Sequence, residues 1–245
     1  MSESNNDGSA KTLVVFDFDG TITNEDSVYY QAKLGLNQEE YNKIKEIDFE
    51  LPFIETIQYL YTTLAKFGKS KEDLDSILKS LKLDEHMIKL LNFFHENNDK
   101  FELIVVTGNS DYPVKKVLNY NSVDKFFKEI YGYTTVLSEK TLLKLTQPFN
   151  TDCKNCNPNM CKTFIVKEHI KKNNNIKYKN IFFICDGGND YCLSENLEEK
   201  DYVFVRKGCR LFAKLYDKGL VKNIKCKIVL WDNGEEILNE IKKIK

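Results

Sequence analysis

Five short apolar runs recur along this chain and constrain its fold more than any other feature of the sequence. Each run is rich in β-branched or aromatic residues without polar alternation, which is typical of strands buried on both faces of a parallel sheet. Helical segments separate several of the runs, and this alternation predicts an α/β fold with a mostly parallel sheet covered by helices. The runs are residues 13–16, 103–106, 181–184, 202–205 and 228–231.

A long helix-rich stretch, residues 27–97, lies between the first two runs. It contains more amphipathic segments than a simple crossover needs, so it predicts a helical cap inserted into the core. We therefore expect a catalytic core formed by residues 11–26 and 98–245, the cap at 27–97, and a short disordered leader at 1–10. The amphipathic segments are residues 38–47, 52–67, 71–81 and 84–96. Residues 133–145 fit a β-hairpin.

Two aspartates, Asp17 and Asp19, stand directly behind the first apolar run, and Gly20 and Thr21 follow them. The carboxyl ends of strands are where open α/β sheets bind ligands. Two carboxylates at such an edge repel each other and lose hydration, and a bound cation is the usual compensation. The pattern therefore predicts a metal-assisted catalytic site.

Three other places carry the polar residues that phosphoryl transfer needs. Thr107, Gly108 and Asn109 follow the second run, Asp186 and Asp190 follow the third, and Lys162 opens a helix predicted over residues 162–172. Such residues behind strands of one parallel sheet are expected to meet at a single edge. Their order and placement make the set more specific than any of its members.

Together with the first motif, these residues predict phosphoryl transfer through an aspartyl-phosphate. Asp17 would attack phosphorus in line. Asp19, held partly protonated by acidic neighbours, would protonate the leaving alkoxide and then deprotonate the water that cleaves the acyl phosphate. Asp186 would complete a Mg²⁺ site with Asp17 and the backbone carbonyl of Asp19, because Mg²⁺ accepts mixed carboxylate and carbonyl oxygens. We expect a Mg²⁺-dependent hydrolase of a small-molecule phosphomonoester.

The phosphate group itself would be held by the remaining residues. We expect the Thr107 hydroxyl and backbone N–H groups at Gly108 and Asn109 to bind phosphate oxygens. Lys162 would bind the phosphate as well and offset one of the negative charges in a partly dry pocket. Asp190 would hold Lys162 in place as an outer partner.

At these residues the chain resembles the haloacid dehalogenase superfamily of aspartate-nucleophile phosphatases. A closer similarity is to the eukaryotic subfamily of phosphoethanolamine/phosphocholine phosphatases and pyridoxal-phosphate phosphatases. The resemblance implies a Rossmann-like core, a Mg²⁺ cofactor, Asp17 as nucleophile and Asp19 as proton donor, with Asp17, Asp19 and Asp186 at the metal-binding positions. The segments that carry the closer similarity are residues 153–162, 186–190 and 206–208.

Two substrate-contact positions depart from that subfamily, as does Cys185, which stands where the subfamily usually has glycine. Its members have acidic substrate contacts where this chain has Val28 and Gly108. Acids there suit a cationic amine head group, so their absence argues against phosphocholine or phosphoethanolamine as the substrate. Asp26 is the candidate replacement for the first acid. The expected partner is therefore a small phosphorylated metabolite whose identity the sequence leaves open.

Two other functions fit the same residues. One is a phosphotransferase or phosphomutase, which would pass phosphate from Asp17 to a hydroxyl other than water. The other is a catalytically silent binding protein that retains the fold.

The overall charge and hydropathy bear on possible partners. The formal net charge of −1 gives no basic surface for binding nucleic acid, and no segment approaches the roughly 18 apolar residues of a membrane span. We therefore expect neither nucleic acid nor a membrane as a partner.

Three cysteines, Cys153, Cys156 and Cys161, have C-x₂-C-x₄-C spacing. With His169 or a water as fourth ligand they could bind zinc. Packing thiols and a redox-sensitive pair fit the same spacing. Seven cysteines without an export signal favour reduced thiols and a cytoplasmic location. Whether the three bind a metal stays open at this point.

Overall fold

Seven strands form one sheet in the part of the chain that the computed structural model describes, namely residues 10–138, 141–146, 151, 153, 156 and 160–244. The strands are β1 (Lys11–Phe16), β2 (Phe101–Ser110), β3 (Phe127–Ser138), β4 (Leu142–Thr146), β5 (Tyr178–Cys185), β6 (Tyr202–Arg206) and β7 (Lys227–Trp231). Their order is β4-β3-β2-β1-β5-β6-β7. All neighbours are parallel except β3 and β4, which form the antiparallel hairpin. The predicted α/β fold is confirmed; residues 1–9 of the predicted leader lie outside the described residues.

Helices connect the strands and cover both faces of the sheet. They are α1 (Ser27–Gly35), α2 (Gln38–Glu50), α3 (Phe53–Lys66), α4 (Lys71–Ser80), α5 (Glu85–Glu96), α6 (Asp111–Tyr120), α7 (Lys162–Lys172), α8 (Tyr191–Asn196), α9 (Arg210–Tyr216) and α10 (Gly234–Ile241). The helix predicted over residues 162–172 is confirmed with the same bounds as α7.

Helix α1 is missing from the amphipathic segments found in the sequence. Its buried face includes the polar residues Ser27 and Gln31, which hides the usual apolar periodicity. The Gln31 side-chain N–H donates to the Ser27 carbonyl oxygen at 2.8 Å, whereas its Oε1 is buried and has no hydrogen-bond partner among the described residues. Asp26 caps the helix by accepting the backbone N–H groups of Val28 and Tyr29.

Strand β1 lies at the centre of the sheet and is buried on both faces. Leu13 and Val15 belong to the same hydrophobic cluster as Ile165 and Val166 of α7, whereas Val14 and Phe16 belong to the core on the opposite face. Phe16 meets Phe94 of α5 edge to face, with ring centroids 6.0 Å apart. This packing fixes the position of Asp17, the residue that follows β1, in the middle of the carboxyl edge.

Residues 27–97 contact the sheet at several points. Helix α5 packs against α10, and α3 contacts β2 and β4. The division of the chain into a core and a separate cap at residues 27 and 97 stays a prediction. None of the described helices combines the length and the apolar character needed to cross a membrane.

Candidate active site

Three carboxylates meet at the carboxyl edge of the sheet. Asp17 follows β1 and Asp186 follows the neighbouring β5, and the Asp17 backbone N–H donates to the Ile184 carbonyl oxygen at 3.0 Å. Carboxylate oxygens of Asp17, Asp186 and Asp190 lie within 4.8 Å of one another. Asp17 and Asp186 line a cavity of about 540 Å³ together with Thr107. The predicted convergence of the strand ends is therefore present in the structure.

The turn after Asp17 brings the chain against Asp186. Gly20 has a φ of +71°, and a Cβ at this position would lie 2.4 Å from Oδ2 of Asp186. Only glycine satisfies both conditions without strain. The Thr21 hydroxyl donates to Oδ1 of Asp186 at 3.1 Å, and the Arg206 guanidinium donates to the Gly20 carbonyl oxygen at 2.7 Å. These contacts fix the distance between the turn after Asp17 and the carboxylate of Asp186.

Lys162 is buried between two of the acids. Its Nζ lies 2.8 Å from Oδ1 of Asp17 and 2.5 Å from Oδ1 of Asp190. Burial alone would lower the pKa of Lys162, but the negative charges of Asp17 and Asp190 outweigh it and raise the pKa. Lys162 is therefore a fixed cation, and Asp190, whose Oδ2 accepts the Gly187 backbone N–H, holds it from the far side.

Asp19 is held by hydrogen bonds to both of its carboxylate oxygens. Oδ1 accepts the Ser27 backbone N–H at 2.7 Å, and Oδ2 accepts the Asn109 side-chain amide at 2.7 Å. Burial raises the pKa of Asp19 to about 6, against the lowering effect of these bonds and with a smaller contribution from the Asp17 charge. A carboxyl group with such a pKa exchanges a proton near neutral pH.

Thr107, Gly108 and Asn109 all belong to β2 and line the cavity. The Asn109 backbone N–H, expected to bind phosphate, donates instead to Thr107 Oγ1 at 3.1 Å. This bond uses the oxygen of the Thr107 hydroxyl as acceptor and leaves its proton for a ligand. The side chain of Asn109 is directed to Asp19 and Ser27, a link that its position in the motif did not indicate.

Two further aspartates, Asp26 and Asp48, line the same cavity. Burial and the charge of Asp19 raise the pKa of Asp26. Asp48 of α2 accepts the Tyr29 hydroxyl at 2.5 Å and lies 3.8 Å from the Arg210 guanidinium. The sequence indicated Asp26 as a substitute acid, whereas Asp48 was missed because it lies inside an ordinary polar helix.

The donor set fits a divalent cation. Burial, and then the charge of Asp17, raise the pKa of Asp186 to about 7, so a bound cation would favour the ionised form of this carboxyl group. Carboxylate oxygens from Asp17 and Asp186 are hard ligands of the kind that Mg²⁺ prefers. The carboxylate of Asp19 is outside this group, in keeping with a predicted role for its backbone carbonyl alone.

The chain is similar in sequence to known phosphatases. A model of the family described as "Putative Phosphatase" matches residues 12–244. A thiamine phosphate phosphatase-like protein of Arabidopsis thaliana is 28% identical over 236 residues, which cover 93% of this chain and 92% of the relative. The pyridoxal phosphate phosphatase of Homo sapiens is 24% identical over 234 residues, which cover 94% and 97%.

A solved structure of a substrate-bound phosphoserine phosphatase complex shares the fold. Its TM-score is 0.64 at 16% sequence identity, and the match covers 97% of this chain and 100% of that chain. The fold and the family match together confirm the resemblance to the haloacid dehalogenase phosphatases. The chain therefore belongs to this phosphatase family and has the haloacid dehalogenase fold.

Proposed function

We propose that this protein is a Mg²⁺-dependent phosphatase that hydrolyses a small organic phosphomonoester through a phosphorylated Asp17. The observation that carries the proposal is the position of Lys162, a buried cation whose Nζ lies 2.8 Å from Oδ1 of Asp17, the carboxylate that lines the acidic cavity. A cation there keeps Asp17 ionised as a nucleophile and offsets charge on an arriving phosphate. Asp17 and Asp186, with the Asp19 backbone carbonyl, would hold Mg²⁺, which polarises phosphoryl oxygens.

The attack follows from the contacts of Asp17. Its Oδ1 accepts the Phe18 backbone N–H at 2.8 Å and also contacts Lys162, so we assign Oδ2 as the attacking oxygen. As the bond from phosphorus to the ester oxygen breaks, Asp19 gives its proton to that oxygen. Asp19 then takes a proton from the water that attacks phosphorus and releases Asp17. The Thr107 hydroxyl donates to a phosphoryl oxygen throughout.

We further propose that the organic part of the substrate carries a positive charge. Neither Val28, which is buried, nor Gly108 supplies an acid, but Asp26 and Asp48 both line the cavity. Buried or half-buried carboxylates favour a cationic partner. Thiamine phosphate, named in one relative, carries a permanent charge on its thiazolium ring. A cytoplasmic location stays a prediction from cysteine usage.

A screen of phosphorylated metabolites tests this function. It compares thiamine phosphate, pyridoxal phosphate, phosphocholine and phosphoethanolamine with and without Mg²⁺, and uses 3,3-dimethylbutyl phosphate as the neutral isostere of phosphocholine. We expect Mg²⁺-dependent release of inorganic phosphate and a kcat/KM about 10-fold or more higher for the cationic member of the isosteric pair, equivalent to about 1.4 kcal/mol. Equal values for the pair would contradict the charge preference while leaving the phosphatase activity intact.

The variant Asp48→Asn assigns that preference to a residue. It should lower kcat/KM for phosphocholine and leave the neutral isostere unchanged, because only the cation loses an opposite charge. Asp26→Asn is a matched second variant, since asparagine still caps α1.

Adding a competing alcohol separates hydrolysis from phosphotransfer. A phosphatase releases inorganic phosphate in step with the alcohol product of the substrate, and a transferase does not.

A further inference from the structure

Four cysteine sulfurs form a cluster behind the proposed active site. Sγ atoms of Cys153, Cys156, Cys161 and Cys192 all lie within 4.8 Å of one another. Cys192 comes from α8, more than thirty residues after Cys161, so sequence spacing did not join it to the other three. His169, considered in the sequence as a fourth ligand, is elsewhere: its Nε2 lies 2.9 Å from Oε1 of Glu102.

The spacing of the sulfurs matches a metal tetrahedron. Zinc–sulfur bonds of about 2.3 Å place the four sulfurs of a tetrahedral site about 3.8 Å apart. The Sγ of Cys192 lies 3.8 Å from that of Cys153 and 3.9 Å from that of Cys161. A disulfide needs about 2.05 Å, roughly half these distances. Four sulfurs that share one centre therefore describe the cluster better than two bonded pairs.

The surroundings also suit thiolate ligands. Cys161 and Cys192 are buried, while Cys153 and Cys156 are half-buried, which leaves a path for metal entry. The Thr163 hydroxyl lies 3.4 Å from Sγ of Cys192 and supplies the outer hydrogen bond that a metal-bound thiolate accepts.

We propose that Cys153, Cys156, Cys161 and Cys192 bind one structural Zn²⁺ ion. Four thiols lose four protons and form four zinc–sulfur bonds, with no change of oxidation state. Because all four positions are filled by protein, the ion has no site for substrate and differs from the Mg²⁺ of the proposed reaction. The assignment of zinc does not rest on the proposed function.

The cluster connects two residues of the catalytic edge. Cys161 directly precedes Lys162, and Cys192 follows Asp190 by two residues. Lys162 and Asp190 form the buried ion pair of 2.5 Å. An ion bound by Cys161 and Cys192 would therefore tie the start of α7 to α8 and hold this pair together.

Metal analysis of the purified full chain tests the proposal. Protein produced in zinc-supplemented medium and dialysed against a weak chelator should contain one zinc per chain by mass spectrometry of the metal. The same chain loaded with Co²⁺ should show the visible absorption of tetrahedral cobalt thiolate. Cys192→Ser should lower the bound zinc at least several-fold, whereas Cys226→Ser, which removes a buried cysteine outside the cluster, should retain one zinc.

Asp17→Asn separates the two proposals because it should lose turnover and keep its zinc. If Cys192→Ser does not fold, the wild type decides: zinc released by a mercurial thiol reagent should match one ion per chain and lower the melting temperature. Wild-type protein without zinc, with iron in its place, or with oxidised cysteines in this cluster would overturn the assignment.

Discussion

The side-chain amide of Asn109 donates a 2.7 Å hydrogen bond to Oδ2 of Asp19, across a gap of 90 residues in the sequence. The same amide donates to the Ser27 hydroxyl at 2.9 Å, and the Ser27 backbone N–H donates to the other oxygen of Asp19. The end of β2 and the start of α1 thus orient the proposed proton donor together. Orientation of this kind is a large part of enzymatic rate acceleration.

Asn109→Ala should lower kcat by about 10²-fold, because it would leave the proton donor Asp19 misplaced, and a small misplacement of a catalytic group lowers the rate by that factor. In the wild type, the hydrogen bond from Asn109 lowers the pKa of Asp19. Its removal should therefore raise that pKa and move the alkaline limb of the kcat/KM profile to higher pH. Asn119→Ala, on the exposed side of α6, is the control and should leave both unchanged. A slower enzyme with an unshifted profile would count against the orienting role.

Asp19→Asn should harm poor leaving groups most. An alkyl phosphate needs a proton on its departing oxygen, whereas an aryl oxide leaves without one, so general acid catalysis worth about 10²–10⁴-fold is lost only for the former. Steady-state kcat/KM on an alkyl and an aryl phosphate gives the ratio. Equal losses on both substrates would mean that Asp19 does not protonate the leaving group.

Lys162→Met should destabilise the protein by about 3–5 kcal/mol, because it leaves the carboxylates of Asp17 and Asp190 buried without their cation. Adding Asp190→Asn should recover part of that stability but none of the turnover. Denaturant unfolding measures both variants. Lys116→Met breaks a half-exposed pair with Asp75 and should cost at most about 1 kcal/mol. Equal costs for the two lysines would disprove the buried-pair account.

Glu102→Gln should reveal a pH-dependent contribution to stability. Burial would raise the pKa of Glu102, but hydrogen bonds from His169 and Tyr178 outweigh it and leave that pKa lowered. The folded protein therefore binds the proton less tightly than the unfolded chain, so the charged form stabilises the fold above the unfolded pKa of 4.5. That stabilisation is lost as the pH falls through the lower, folded-state pKa.

The free energy of unfolding should thus differ between wild type and Glu102→Gln by about 1–3 kcal/mol at neutral pH and by less in acid. Glu129→Gln, which removes a surface pair with Lys172, is the matched control and should show a small difference at every pH. A difference in the free energy of unfolding between wild type and Glu102→Gln that grows in acid would contradict a lowered pKa of Glu102 in the folded protein.

Local patterns in the sequence predicted α7, the hairpin of β3 and β4, and the strands β1, β2, β5, β6 and β7, because each is encoded by neighbouring residues. They did not predict α1, whose buried face includes Ser27 and Gln31. Nor did they link Asn109 to Ser27, 82 residues away, or Cys192 to the earlier cysteines. These contacts form only when distant segments pack against each other, and the spacing of residues along the chain does not indicate which distant segments will meet.

Trapping the phosphorylated enzyme tests the central proposal most directly. Acid-quenched enzyme taken during turnover should contain one acyl phosphate, and mass spectrometry of its peptides should locate that group on Asp17. Asp17→Asn should lack the label and lose turnover while it stays folded, because Lys162 keeps its pair with Asp190. A label on another residue, or near-normal turnover by Asp17→Asn, would contradict the assignment of Asp17 as the nucleophile.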